Sequence, residues 1–401
     1  MTDATFPGFS WEGFLFLSSE PLGDQTQLIR LHPDPSHSPR CAHCRCSCRR
    51  VHDTHHRRVR DANLFEYRVY LDVPVRRVIC TRCGISREYL PWLTPHARIT
   101  TRLRSYAEQL LKLLPIKHVA QLTGLHWHTL KTIDKARLAR ELPTPDLSRV
   151  RYLVMDEFAL HKGHRYATVV MDVERKQVLW VGQGRSRESV RPFFLWLGEH
   201  CQHIEAVAMD QNTAMDLEVR AHCPDARVVY DLFHVVAKYG RQVIDRVRVD
   251  QANQLRGDRP ARRLVKQSRW LLLRNPENLE PGQAASLDEL LAANQPLMLV
   301  YLMKDQLKRL WYARSERAAR WRLTHWLNQA VASGIPSLRW FARNLKPYAD
   351  GIIASASYPL NTSVLEGVNN RIKVIKRMAY GYRDIDYFFL KIRAAFPGNM
   401  R

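Results

Sequence analysis

The sequence predicts an α/β chain built of several units, and three observations predict it. From Arg149 onward, short β-branched runs and amphipathic stretches alternate in the order β-β-β-α-β-α-β. Upstream, two CxxC pairs flank a strand-rich stretch. Between these regions lies a pair of helical segments joined at a glycine. With 401 residues the chain is too long for one simple core and long enough for two to four units.

Residues 1–36 read as a mixed lead-in closing on the Pro/His/Ser-rich HPDPSHSP. CAHCRCSC then offers Cys41, Cys44, Cys46 and Cys48. After the strand-like LFEYRVYLDVPVRRVIC, CTRC adds Cys80 and Cys83. Two CxxC knuckles around a hairpin bring four thiolates to one tetrahedral ion, the pattern of a zinc ribbon. Cys41, Cys44, Cys80 and Cys83 are the expected ligands. Cys46 and Cys48, or His52, His55 and His56, compete for the first knuckle. Seven arginines and one acid, Asp53, fall between Arg40 and Arg60. That excess points Arg49, Arg50, Arg57 and Arg58 at a phosphate backbone.

TTRLRSYAEQLLKLL is amphipathic, with Leu103, Ala107, Leu110, Leu111 and Leu114 inward. The next stretch has the cadence of a helix-turn-helix: Ile116–Leu122, a turn at Thr123-Gly124-Leu125, then His126–Arg137. Its second helix would offer His126, His128, Thr129 and Lys131 to a DNA groove. ELPTPDLSR is a linker. RYLVMDEFAL is a strand with Asp156 near its end, followed by RYATVVMDVER and KQVLWVGQG. SRESVRPFFLWLGEH is helical. IEAVAMDQN is a buried-type strand ending at Asp210. TAMDLEVRAHCP is a helix, and ARVVYDLFHVV is a strand ending near Asp231. Three antiparallel strands followed by parallel crossovers is the order of a ribonuclease-H-like core. There Asp156 and Asp210 lie on adjacent strand ends. Glu157 is expected to point to the opposite face, and Asp172 sits on the second strand. Asp231 and His234 come close to the site, behind the ligands.

About 110 residues without a strand follow, read as a helical insertion whose Trp311, Trp321, Trp326 and Trp340 are mainly core. Tyr358–Tyr382 reads as one helix, capped by Thr362 or Ser363 and ended by Gly381. Val364, Val368, Ile372 and Ile375 form its apolar stripe. Glu366, Asn370 and Lys373 share another face, beside Arg371, Lys376 and Arg377. A carboxylate and several cations on one helix suit a metal ion next to a phosphate backbone. The expected units are 1–98, a zinc-binding module; 99–145, the helix-turn-helix; 149–236, the first part of the core; 237–350, the insertion; and 351–401, the closing helix.

The charge agrees with this reading. Lys and Arg total 62 against 39 Asp and Glu, a net +23, which favours a polyanion. No apolar run approaches the roughly 18 residues a membrane-spanning helix needs. MTDATFPGFSWEGFLFL has no basic stretch before its apolar part, so a secretory leader is not expected. CxxC spacing without an export signal suggests metal rather than disulfides. The chain is therefore read as soluble and intracellular.

The run MDEFALHKGHRYATVVMDVERKQVLWVGQGRSRES, then VAMDQ, VVYDLFHVV and SVLEGVNNRIKVIKRMAYGYRD, resembles the DDE transposases of the ISL3 family of bacterial insertion sequences. The cysteine pairs and the helix-turn-helix fit the same family, so the resemblance covers almost the whole chain. It departs from the family pattern at AMDQN and at the crowded CRCSC. The resemblance implies a catalytic triad of Asp156, Asp210 and Glu366. These would hold Mg²⁺ or Mn²⁺, with structural zinc upstream. Lys373 and Arg377 would hold the phosphate backbone, and Asn370 would orient Glu366 or the scissile phosphate. It also implies recognition of terminal inverted repeats, metal-dependent cleavage, joining of 3′-OH ends to target DNA, and a dimer or larger assembly on DNA. The place of action would be the bacterial cytoplasm, on the nucleoid. The alternatives are a ribonuclease-H-like nuclease, or a zinc/helix-turn-helix regulator with an inactive core.

Overall fold

The computed structural model describes residues 10–161, 163, 165–358, 360 and 363–398, the side chains of 363–365 excepted. The chain divides into two compact units. One runs to Glu141 and takes in Met378–Tyr382; the other holds Leu142–Arg377 and the stretch from Arg383.

The first unit opens with strands the sequence reading missed. β1 (Phe14–Gly23) and β2 (Thr26–Pro33) form an antiparallel hairpin where a lead-in was expected. β3 (Arg50–Arg60) pairs antiparallel with β4 (Arg68–Cys80), which also pairs with the short β5 (Gly84–Arg87). The sheet order is β1-β2-β4-β3, with β2 parallel to β4. Leu31, Val59, Val69, Leu71 and Val73 fill its core. Three helices follow: α1 (Thr101–Leu113), α2 (Ile116–Thr123) and α3 (Trp127–Glu141). Thr100 caps α1 through its side chain. Gly124 ends α2 at φ +69°, a left-handed conformation that glycine adopts without penalty. Leu103, Ala107, Leu111, Val119, Leu130 and Ile133 close a small core of their own.

In the second unit β6 (Tyr152–His161), β7 (Arg165–Asp172) and β8 (Gln177–Gln183) are antiparallel. α4 (Arg187–Leu197), β9 (Ala206–Met209), α5 (Thr213–His222) and β10 (Arg227–Tyr230) complete the expected order. The sheet runs β10-β9-β6-β7-β8, with β6, β9 and β10 parallel. Every residue of β9, AVAM, is buried, as befits an interior parallel strand. One expected strand is shorter than read. LFHVV belongs to α6 (Leu232–Tyr239), because Asp231 caps that helix by accepting the Phe233 amide.

α6 continues through a π turn at Gly240–Ile244 into α7 (Asp245–Gln254). Beyond it lie α8 (Arg259–Gln267), α9 (Arg269–Leu273), α10 (Pro281–Ala293), α11 (Gln295–Lys308), α12 (Glu316–Ala332), α13 (Pro336–Leu345) and α14 (Ala349–Ala354). These helices share one continuous core with the sheet. Gly351 lets α14 lie against β10, where a Cβ would run into the Tyr230 ring. The tryptophans divide. Trp326 is buried and Trp311 is half-buried, donating to the Tyr230 carbonyl. Trp321 and Trp340 are 66% and 52% exposed, contrary to a core role.

The last helices are α15 (Ser363–Met378) and α16 (Ile385–Ala395). α15 stops three residues before Gly381, shorter than the expected Tyr358–Tyr382. The proposed caps, the Thr362 residue and the Ser363 side chain, lie outside the described residues, as does the side chain of Val364. Val368 and Ile372 are buried and Ile375 is half-buried. Burying the first two contributes about 1.5–3 kcal/mol each to holding the helix down. No described helix is long and apolar enough to cross a membrane.

Candidate active site and thiol cluster

Strand register builds the acidic site. Met155 on β6 pairs with Met209 on β9, and Met209 pairs with Tyr230 on β10. The residue after each of these is an aspartate: Asp156, Asp210 and Asp231. Three neighbouring parallel strands thus present a carboxylate at one level of the sheet edge. Asp156 is not at the end of its strand, as expected, but midway. β6 runs on beside β7 after its pairing with β9 has stopped.

His234, on the first turn of α6, places Nδ1 2.5 Å from Asp210 Oδ1 and 2.7 Å from Asp231 Oδ2. Asp210 first, then Asp231, push its pKa up to about 10, so the imidazolium offsets part of their charge. Burial, and then the Asp210 charge, push the Asp156 carboxyl up to about 6. The carboxyl therefore keeps its proton below about pH 6.

α15 lies along β6. Asn369 donates from Nδ2 to Asp156 Oδ2 at 2.5 Å, and Lys376 donates from Nζ to the Ala159 carbonyl at 3.2 Å. Seven helical residues and three strand residues each span about 10 Å, so helix and strand run in the same direction. Glu366 stands one turn before Asn369 and is exposed. Among the described residues, two groups of potential ligands have all their atoms within 4.8 Å of one another. They are Asp210 with Asp231 and His234, and the four cysteines below. Glu366 is in neither group.

The remaining expected residues fall as follows. Asn370, Arg371, Lys373 and Arg377 are exposed, and Asn370 accepts from Lys373 at 3.4 Å. Glu157 accepts from Asn212 and from Arg185. Asp172 is buried opposite Leu153, at the far end of β7, and holds the Glu174 amide and the Arg175 side chain. The sequence reading overlooked Asn369. Its signal was the NN pair, in which only helix phase separates the member facing the strand from the one facing solvent.

In the first unit, Cys41, Cys44, Cys80 and Cys83 converge, with Cys44 and Cys80 Sγ 3.5 Å apart. The Ser86 side chain, then the Cys44 amide, hold the Cys41 thiol down at about 6. The neighbouring Cys44 pushes Cys83 up to about 12. Four thiols that cannot all ionise alone, set at one point, are the donor set of a structural zinc ion. Cys48 is buried outside the four, and burial pushes its pKa up; it donates to the Cys46 carbonyl.

Of the arginines on and just before β3, Arg49, Arg50 and Arg58 are exposed, whereas Arg57 is half-buried and donates to the Ala97 carbonyl at 2.7 Å. His126, His128 and Thr129 are exposed at the start of α3, and Lys131 is half-buried. Trp127, missed in the sequence, is 47% exposed and stacks on His128 with centroids 3.6 Å apart.

Family models match all three regions. One described as a transposase of the ISL3 type covers residues 153–392. A helix-turn-helix domain of transposase family ISL3 covers 88–138. A zinc finger of the transposases IS204/IS1001/IS1096/IS1165 covers 37–83. The transposase for insertion sequence element IS1001 of Bordetella parapertussis is 56% identical over 394 residues, 98% of this chain and 97% of that one. The transposase for insertion sequence element IS1557 of Mycobacterium tuberculosis is 27% identical over 338 residues, 79% of this chain and 76% of that one. Among solved structures, the Drosophila P element transposase strand transfer complex aligns with TM-score 0.39 and 9% identity, over 75% of this chain and 92% of that one.

Proposed function

The chain belongs to the ISL3 family of DNA transposases, and from that premise we propose how its residues divide the work. It is a transposase of the DDE type. In our reading, residues 37–140 recognise the terminal inverted repeats of its own element. The sheet beyond Arg149 is a ribonuclease-H-like core, and it cuts at those ends and joins the freed 3′-OH to target DNA. The observation that carries this is the register of β6, β9 and β10, which sets Asp156, Asp210 and Asp231 side by side at one sheet edge.

Asp156, Asp210 and Glu366 would hold Mg²⁺ or Mn²⁺, since an all-oxygen donor set suits these ions. Such ions, when bound, activate a water or 3′-hydroxyl and stabilise the leaving oxygen at a phosphodiester. Asn369 fixes the orientation of Asp156, and His234 ties Asp210 to Asp231. The exposed Lys373 and Arg377 face a backbone phosphate. A dimer or larger assembly on DNA follows from the joining of two ends.

A supercoiled plasmid carrying the DNA that flanks the gene tests this. Protein with Mg²⁺ or Mn²⁺ should break it at the two outer ends of a repeat, and Glu366→Gln should abolish the breaks. Scattered breaks would favour a general nuclease. The proximity of Asp231 to Asp210 favours a second reading in which Asp231 is the third ligand. Full activity in Glu366→Gln together with none in Asp231→Asn would establish that reading.

A further inference from the structure

The solvent face of α12 carries a basic and aromatic surface that includes none of the residues assigned above to cutting or end recognition. The helix is amphipathic in an unusual way. Ala319, Leu323, Trp326 and Ala330 are buried. At 100° per residue the opposite arc, about 140° wide, holds Arg317, Arg320, Trp321, Thr324, His325 and Asn328, and in the last turn Val331 and Ala332. All eight are exposed. Trp321 is 66% exposed, and the His325 ring lies parallel to it, with centroids 5.4 Å apart and planes 4° apart. His325 is in reach of Gln329 at 3.1 Å, and Arg320 approaches Asp350 at 3.9 Å. No acid stands on this arc. From Arg314 to Lys346 the sequence has seven Lys and Arg against one acid, Glu316. Trp340, on the helix α13 that packs against α12, is also half exposed.

An exposed indole offers a flat apolar face to a partner. An apolar protein partner would call for an apolar rim, whereas Trp321 stands within about a turn of Arg317 and Arg320, and the exposed Val331 lies nearly three turns further along the helix. Cations beside a flat, exposed ring are the parts of a stacking platform for nucleic acid: the cations track phosphates, and the ring takes the face of a base. A base can stack there only when it is unpaired. We propose that the solvent face of α12, centred on Trp321, binds unpaired DNA, with a base stacked on Trp321 and the backbone held by Arg317 and Arg320. This deepens the transposase reading and rests on it, since strand cleavage and joining generate single-stranded segments.

The test uses the full chain and two fluorescent probes, read by anisotropy at fixed salt. One is a single-stranded thymidine oligonucleotide of about 16 nucleotides. The other is a blunt duplex carrying a terminal repeat. Trp321→Ala should weaken binding to the single strand about five- to 150-fold and leave the duplex within about twofold. Trp321→Phe, which keeps a ring, should retain most of the single-strand affinity. Unchanged single-strand binding in Trp321→Ala overturns the proposal. So does an equal loss on both probes, or a smaller assembly with DNA binding intact, which would make the face a contact between copies. A wild-type chain that binds the repeat duplex no better than a scrambled duplex of the same length, added as a control, counts against the end-recognition reading instead, and the single-strand result still decides the role of Trp321. Because Trp321 lies largely in solvent, its removal should leave the melting temperature unchanged, and that is measured alongside.

Discussion

Asp156 gathers burial, a neighbouring carboxylate and one side-chain amide on a single group. The amide of Asn369 sits on the oxygen that points toward α15, so it sets the direction in which the other lone pairs face. Asn370, one residue on, is turned by about 100° and accepts from Lys373. Asn369→Ala is therefore expected to slow end cleavage by roughly tenfold or more, within the range seen when a ligand's outer partner is lost. Asn370→Ala should change the rate by less than about threefold. Single-turnover cleavage of a labelled end, run for both variants at saturating metal, checks this. Equal effects would show that Asn369 does not act through Asp156. Both variants should bind the end equally well, because neither amide is needed to keep α15 seated on Val368 and Ile372.

At the scale of elements, α4 and α5 are held together by one fully buried carboxylate. Glu218 accepts from Arg187 at 2.8 Å and from Arg191 at 3.1 Å, with His222 3.3 Å away. Arg191 above all, and then Arg187, hold its carboxyl below the usual value of 4.5, against the opposing effect of burial. A lowered folded pKa stabilises the fold above the unfolded value. That contribution is lost as pH falls through the folded one. Glu218→Gln should thus lower stability by about 1–3 kcal/mol near neutrality, a figure kept small because both arginines are over a third exposed. The gap in melting temperature from wild type should stay level above about pH 5 and narrow below 4.5. A constant gap across that range would refute the pairing. Elements of this kind were legible in the sequence wherever one face is buried: the strand–helix order after Arg149, the helix pair around Gly124 and the cysteine knuckles. The β1–β2 hairpin was not, because Leu15, Phe16 and Leu17 are all exposed and leave no alternation to read. LFHVV looked like a strand because its β-branched run is short, and the cap at Asp231 carried the decisive signal. In α15 the apolar stripe fixed the helix, but neighbouring asparagines could not be told apart by period alone. Trp321 reads as core by composition alone, and its phase on α12 turns it to solvent.

Over the whole molecule the positive charge is spread rather than confined to one unit. Through Glu141 there are 22 Lys and Arg against 13 Asp and Glu, 22 − 13 = +9, and the remainder carries 40 − 26 = +14. Each unit also has its own apolar core; residues 1–141 hold the first unit without its Met378–Tyr382 segment, and a cooperative melting curve is required of this fragment before it is used. Affinity for DNA falls with salt in proportion to the phosphates neutralised, at a slope near −0.9 per phosphate on duplex. If both units touch the backbone, the full chain must show a distinctly steeper slope of log K against log salt than residues 1–141. If sequence is read by α3 and the sheet beside it, the two should share the same preference for a terminal repeat over scrambled duplex. Titrations of both proteins on both duplexes, at four or more salt concentrations and with zinc supplied, measure the two quantities separately. Equal slopes would confine the DNA contact to the first unit and leave the charge of the second unexplained. A fragment that binds every duplex alike would move sequence recognition out of residues 37–140. A steeper slope with an undiminished preference is the outcome expected of a chain that reads its ends with one unit and grips the backbone with both.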